Sequence, residues 1–508
     1  MNNRAAIAAA APAAEAERVE KMGRNNSNSI FCLLFLVNFL NLISTKVNGG
    51  GVFQVDYKFA GTERSLSALR EHDSIRHLQI IAGVDLPIGG TGRPDAVGLY
   101  YAKIGIGTPS KDYYVQVDTG SDIMWVNCIN CQQCPTRGYR GLELTQYNPK
   151  DSLTGQLITC EWEFCKEIMR DSSSGCTSNE TCLYTEVYGD GSFSMGYFVE
   201  DFVQYDRVSG DLQTQSANGS VIFGCGAGPS ADLSSSDDAL DGVLGFGKAN
   251  SSLISQLASA GRVKNMFAHC LDGVNGGGIF AIGHVVQPKV NMTALVPNQS
   301  HYNVNMTAIE VGHAMLSLPT EVFTVGDTKG AIIDSGTTLA YFPEVVYQQL
   351  VVKILSWQPD LKLQIVHDDY TCFDYSDSVD DGFPPVTFHF GNSLNLTVYP
   401  HDYLFPFDGL MCVGWQNSGV LSGEKTNITL LGDLVLSNKL VLYDLENQTI
   451  GWTTYNCSSS IKLKDEITGS VHLVGAHSIP SCAFSQSAQK AFIFLLLMTL
   501  LQAIFTGL

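Results

Sequence analysis

Val117-Asp118-Thr119-Gly120-Ser121 is matched much later in the chain by Ile333-Asp334-Ser335-Gly336-Thr337. Each copy is an apolar run that ends in an aspartate, followed by a hydroxyl residue, a glycine and a second hydroxyl residue. One D-[ST]-G tripeptide is weak evidence, since chance supplies it in roughly one chain of this length in four at average residue usage. Two copies, each behind a run fit to be a buried strand, constrain the fold far more. They predict a duplicated lobe that brings two carboxylates together.

The surroundings repeat as well. Tyr302 to Ile309 in the second half stands where Tyr101 to Ile106 stands in the first. Val243-Leu244-Gly245 in the first half is answered by Leu430-Leu431-Gly432 in the second. The period is far longer than that of a solenoid repeat, so the repeated unit is a whole lobe. Short alternating runs at Tyr100–Ile106, Tyr113–Val117, Tyr184–Tyr188 and Tyr197–Tyr205 read as strands between Gly-, Pro- and Asn-rich turns. Helical patterns are few, at Ser251–Ala260 and Pro343–Leu355. The fold class is mainly β.

The 508 residues carry 45% hydrophobic and 16% charged side chains, enough for a large packed core. A net charge of −20 excludes nucleic acid and anionic membrane as main partners, because no basic excess exists to displace counterions. Ile30 to Ile43 is too short and Asn-interrupted for a comfortable span and reads as a secretory signal. Met22 offers an alternative start, and Met22-Gly23-Arg24-Asn25-Asn26-Ser27 then fits a myristoylation pattern, but the apolar run behind it routes the chain to secretion. Ser65 to Ile81 is a locally basic helical stretch, closed by Gly89-Gly90-Thr91-Gly92-Arg93-Pro94.

At the other end, small residues Ser481, Cys482 and Ala483, a polar spacer and the apolar run Ala491–Phe505 have the order of a GPI-attachment signal. Ser481 is the preferred attachment site, with Ser478 and Ser485 as alternatives, and a plain hydrophobic tail or marginal membrane span is the competing reading. The expected organisation is 1–49 N-terminal lead and signal, 50–96 propeptide, 97–295 N-terminal β lobe, 296–460 C-terminal β lobe, 461–482 linker or stalk, and 483–508 hydrophobic attachment signal. A monomer is expected, at the cell surface or extracellular, held to membrane only by its lipid.

Fourteen cysteines support export. Twelve lie between the two ends, at Cys128, Cys131, Cys134, Cys160, Cys165, Cys176, Cys182, Cys225, Cys270, Cys372, Cys412 and Cys457, an even number that fits six disulfides. The close spacing of Cys128, Cys131 and Cys134 also allows an iron–sulfur or zinc run, against which an oxidising compartment argues. Ten sequons add candidate glycosylation sites at Asn179, Asn218, Asn250, Asn291, Asn298, Asn305, Asn395, Asn427, Asn447 and Asn456.

From about Gly98 to Cys457 the chain resembles the pepsin-like aspartic proteases, specifically the plant nepenthesin-like branch and its members with a GPI-anchor signal. The motifs that carry the resemblance are Asp118-Thr119-Gly120-Ser121 with Trp125, Asp334-Ser335-Gly336-Thr337-Thr338, and Tyr188-Gly189-Asp190-Gly191-Ser192. It implies a bilobal fold with a cleft between two β-rich lobes. It also implies catalytic roles for Asp118 and Asp334, and a flap at Tyr188–Gly191 whose tyrosine hydroxyl meets the Trp125 indole. A disulfide-knotted insertion between the first loop and the flap, and a Cys372–Cys412 pair, follow from the same resemblance.

The physics of the residues points the same way. Two adjacent carboxylates cannot both ionise cheaply, a behaviour already well known for aspartic-protease dyads. One can activate water while the other polarises the scissile carbonyl, with no metal, cofactor or covalent intermediate. Gly120 and Gly336 allow close approach, and Ser121 and Thr337 are placed to fix the carboxylate planes. Asp122 adds a third carboxylate, which either raises the proton affinity of the site or points into solvent. Lys58, Arg70, Arg76 and His77 are candidates for a propeptide cation that neutralises the pair until the pH falls.

Protein or peptide substrates are therefore expected, with acid endopeptidase activity as the leading function. A catalytically silent binding or inhibitor protein on the same fold is the alternative. A surface protein kept for adhesion or signalling is a third, which leaves the duplicated site unexplained.

Overall fold

The computed structural model describes residues 83–479, apart from 95–97, 132–133, 170–175, 230–238, 325–329, 368–369 and 422–426. The expected signal, most of the propeptide with its basic helix, and the attachment signal at Ser481 lie outside the described residues. Among the described residues no helix is long and apolar enough to cross a membrane.

The expected class holds: strands dominate, and helices are short. The two helical patterns in the sequence form Leu253–Ser259 and Glu344–Leu355. Ser252 caps the first, its hydroxyl accepting from the Ser255 amide. The second buries Val346, Leu350, Val351 and Ile354, the spacing of one helix face.

Each lobe threads an apolar strand beside its aspartate. In the first lobe the strand Lys111–Asp118 pairs antiparallel with Leu99–Ile106 and parallel with Gly242–Gly245, which puts Leu244 opposite Val117 and Gly245 opposite Asp118. In the second, Ala331–Ile333 runs parallel to Thr429–Leu431, with Ile333 opposite Leu431. Val117, Leu244, Ile333 and Leu431 are all fully buried. A strand buried on both faces reads as a continuous apolar run, which explains why Gly242–Gly245, Ala331–Ile333 and Thr429–Leu431 do not alternate.

The lobes share one sheet. Six of its strands run in the order Met292–Ala294, Thr449–Thr454, Lys439–Asp444, Met266–Leu271, Gly278–Ile282 and Val84–Asp85. Phe267 and Tyr443 stack with nearly parallel rings at a 4.3 Å centroid separation, and Tyr302 meets both edge-on. This sheet ties the lobes together.

Two segments expected to flank the lobes form strands. The segment assigned to the end of the propeptide is built into the fold from residue 83. Val84, Leu86 and Ile88 alternate inward and are buried, and Val84 pairs with both Ile282 and Arg207. The expected linker at 461–482 is instead a β-hairpin, Ser460–Lys464 with Val471–Gly475, which extends a sheet through His284–Gln287. Its physical basis is again alternation. Ile461, Leu463 and Val474 point into a small core with Ala268, Cys270 and Cys457, and the polar residues between them face out. The polar composition of this stretch hides a period-two pattern.

The returning chain closes on the first strand. His477 and Gly278 exchange backbone hydrogen bonds at 2.7 and 2.8 Å, and the His477 imidazole meets both Asp85 oxygens at 2.9 Å. The Asp85 carboxylate raises the pKa of His477 by this hydrogen bond, against the effect of burial.

All twelve cysteines are paired: Cys128–Cys225, Cys131–Cys134, Cys160–Cys176, Cys165–Cys182, Cys270–Cys457 and Cys372–Cys412. The Cys372–Cys412 pair is as the resemblance implied. The metal-run reading fails, because Cys128 leaves the cluster to bond Cys225 and Cys131 takes Cys134. Among the described residues, the group of possible ligand atoms close enough to share an ion is Cys160, Cys165 and Cys176, which the disulfides already consume. The asparagines of all ten sequons are exposed.

Candidate active site

The two aspartates end equivalent strands and face each other across the cleft, both largely buried. Each carboxylate is held at both oxygens. Asp118 accepts from the Gly120 amide at 2.7 Å and from the Ser121 hydroxyl at 2.5 Å. Asp334 accepts from the Gly336 amide at 2.8 Å and from the Thr337 hydroxyl at 2.7 Å. One oxygen thus takes a backbone donor and the other a hydroxyl donor, in both halves.

The glycines are required by proximity. A Cβ on Gly120 would overlap the Asp334 carboxylate, and one on Gly336 would overlap that of Asp118. Each loop's glycine therefore lies against the other loop's acid. Between the loops, the Ser335 amide donates to the Thr119 hydroxyl at 2.9 Å, and the Gln116 side chain donates to the Gly336 carbonyl at 3.2 Å. Alanine at either glycine would separate the pair.

Burial first, and the charge on Asp334 second, push the Asp118 carboxyl up to about 7, against the Ser121 and Gly120 hydrogen bonds that favour its ionised form. The arrangement can therefore hold one proton well into the range where ordinary carboxylates are ionised.

The flap is the hairpin between Leu183–Val187 and Phe193–Gly210. Its turn is closed by the Tyr188 amide on the Ser192 carbonyl, the Gly191 amide on the Tyr188 carbonyl, and the Ser192 amide on the Asp190 carboxylate. Gly191 takes φ +87°, a left-handed value that glycine accommodates without strain. The Trp125 indole donates to the Tyr188 hydroxyl at 2.6 Å. Tyr188, Gly189, Asp190, both aspartates, Thr337 and Thr338 line a cleft of about 480 Å³. Thr338 also donates to the Gly98 carbonyl, which pins the loop to the first strand region.

Asp122 does neither of the things expected of it. It turns from the pair to accept from the Ala249 amide at 2.8 Å. Its carboxyl is raised by burial, while that hydrogen bond and the nearby His301 and Lys248 lower it. It braces the turn after the Val243–Gly245 element.

Sequence reasoning missed three side chains. Asp433 follows Leu430-Leu431-Gly432 directly and is fully buried, and among the described residues neither of its oxygens has a hydrogen-bond partner. Burial holds its carboxyl well above the usual range, and the charges of Asp334 and Asp118 add to this. Its counterpart in the first lobe is Phe246, so an acid immediately after an apolar-apolar-Gly element was the available signal. His301 lines the cleft with its Nδ1 3.0 Å from the Gly120 carbonyl. Glu186 lines it from the flap.

Comparison with known proteins finds matching family models, relatives and solved structures. Two family models match in tandem, one described as the xylanase inhibitor N-terminal lobe over residues 100–284 and one as its C-terminal lobe over 301–454. Aspartic proteinase 36 of Arabidopsis thaliana is 48% identical over 87% of this chain and 92% of its own length. Aspartic proteinase nepenthesin-2 of Nepenthes gracilis is 28% identical over 75% of this chain and 82% of its own. Among solved structures, that of edgp superposes with a TM-score of 0.59 at 18% identity, covering 74% of this chain and 95% of edgp, which speaks to the fold alone.

Proposed function

Because the chain belongs to the pepsin-like aspartic proteases, in the plant branch that holds the nepenthesins and the xylanase-inhibitor-type lobes, we propose that it is an acid endopeptidase with Asp118 and Asp334 as its catalytic pair. The observation that carries this reading is the mutual fit of the two loops. Each carboxylate has its own two donors, and each lies against the other loop's glycine.

In this reading the pair shares one proton and holds a water between its carboxylates. The ionised member takes a proton from the water as it attacks the scissile carbonyl, and the protonated member donates to the carbonyl oxygen. The amine leaves with a proton returned through the same pair. Tyr188 closes the flap over the peptide, and burial keeps the reacting groups in a low-dielectric setting. Peptide hydrolysis should therefore fall as pH rises through about 7, where Asp118 loses the shared proton. The test is hydrolysis of an unfolded protein between pH 3 and 9, with and without a statine-type inhibitor. Activity that persists above pH 8 and ignores the inhibitor would contradict the proposal.

The match to xylanase-inhibitor lobes supports a second reading, a binding protein on this scaffold. Intact donors at both aspartates favour catalysis over it.

The order of residues from Ser481 to Phe505 further supports a lipid-anchored cell-surface location. A phosphatidylinositol-specific phospholipase is then expected to release the protein from membranes, and retention after treatment would favour a spanning tail.

A further inference from the structure

A histidine stands buried in an aromatic and aliphatic layer of the sheet that joins the lobes. On the strands Met266–Leu271 and Lys439–Asp444, Phe267 and His269 project from the same face as Tyr443 and Val441. His269 is in register with Phe280 on one side and Val441 on the other, and all of these residues are buried. Burial lowers the His269 pKa to about 3, so the ring is neutral through the acid range proposed for catalysis. A neutral imidazole here loses its hydration and packs no better than phenylalanine would, so its presence needs another reason.

Its contacts supply one. His269 Nε2 lies 3.0 Å from the Tyr443 hydroxyl, while Nδ1 has no hydrogen-bond partner among the described residues. The Tyr443 hydroxyl in turn meets the Thr119 side chain. Thr119 sits between Asp118 and Gly120, and its hydroxyl accepts the Ser335 amide at 2.9 Å, a contact that spans the two loops. A line of polar atoms therefore runs from the sheet between the lobes to the place where the two aspartate loops meet.

We propose that His269 and Tyr443 are positioning residues for the catalytic pair, holding the Thr119 hydroxyl where it receives the Ser335 amide. This deepens the endopeptidase reading and rests on it. With Nδ1 unpartnered, the imidazole proton belongs on Nε2, because a buried acceptor is left alone more cheaply than a buried N–H. Nε2 then donates to the Tyr443 oxygen, and the Tyr443 proton is turned toward Thr119. Neither residue touches substrate. They fix the spacing of the two loops, and a small error in that spacing raises the barrier while peptide binding along the cleft stays intact.

The test measures kcat, KM and melting temperature at pH 4.5 with one good peptide substrate. Tyr443→Phe keeps the ring stacked on Phe267 and removes the hydroxyl; kcat should fall about tenfold with KM unchanged. The double variant, Tyr443→Phe with His269→Phe, removes both polar groups together and leaves no buried donor unpaired, so it should melt as high as the wild-type protein. It should show the same loss of kcat and no more, because the two residues act in series. His269→Gln, whose amide can donate in place of Nε2, should recover most of the kcat that His269→Phe loses. A double variant with wild-type kcat overturns the inference and leaves the endopeptidase reading intact, and so does a His269→Gln variant no more active than His269→Phe. A wild-type protein that cuts no peptide overturns both.

Discussion

Asp118→Asn and Asp334→Asn are each expected to lower kcat on a good peptide substrate by at least about a thousandfold, with folding unchanged. Asparagine keeps the shape and one acceptor oxygen, so the Gly120 or Gly336 amide keeps its partner. It cannot share a proton with the opposite carboxylate, and it cannot take one from water. The double variant should be little worse than either single one, because the two groups act as a unit and their losses do not add. Purified variants, thermal melts and peptide hydrolysis at pH 4 to 5 check this. Two independent, multiplicative losses would point to separate roles instead of one shared proton.

The second large effect concerns stability. Asp118 and Asp241 are both buried with carboxyl pKa values near 7. Burial is the leading cause for each, and Asp241 is raised despite accepting from the Tyr114 and Thr145 amides. The unfolded chain loses these protons near 4, the folded chain only near 7. Over that window the folded state binds more protons, so its stability falls as pH rises. Each group costs roughly 4 kcal/mol by pH 7. Asp433 acts in the same direction.

His269 opposes them. It is fully buried and its pKa is lowered to about 3, so the folded state gains stability as pH rises toward 6.5. Its share between pH 4 and 6.5 is roughly 3 kcal/mol. The His477–Asp85 contact sides with the carboxylates. With its pKa raised, the stability it adds is fully present below about 6.5 and is lost as pH rises through the folded value. The balance predicts a melting temperature that falls by roughly 10 °C between pH 4 and pH 7. Asp433→Asn should match the wild-type protein at pH 4 and melt higher at pH 7. A flat or rising wild-type profile, or a variant that merely runs parallel to it, would contradict this balance.

The hydrogen-bond supports of the two aspartates were legible in the sequence because they lie in contiguous phrases. Asp118 to Ser121 and Asp334 to Thr337 carry their supports within three residues, so local spelling conveys local geometry. The parallel strands Gly242–Gly245 and Thr429–Leu431 were visible as repeated apolar elements. What stayed hidden depends on distant partners. Cys128 finds Cys225 only after the strand Trp125–Asn127 pairs with Gln213–Pro229.

The first and last strands looked like propeptide and linker because each is short and stable only through its neighbours. Val84 needs Ile282, and Ile461 needs Val474. Asp433 was missed because an acid after a glycine reads as a helix start, and only burial reveals it as a third carboxylate near the pair. Asp122 was misjudged because its partner, the Ala249 amide, comes from a distant turn. Glu186 went unnoticed because the flap motif begins two residues later.

Binding of a statine-type peptide bears most directly on the claim that Asp118 and Asp334 together hold a single oxygen, since its hydroxyl stands in for the attacking water. Titration calorimetry at pH 4.5 on the wild-type protein and on the folded Asp118→Asn and Asp334→Asn variants gives the result. The account predicts tight binding to the wild-type protein and a loss of at least about a hundredfold in both variants. Undiminished binding in either one would show that its aspartate does not hold the oxygen, and the dyad would fail.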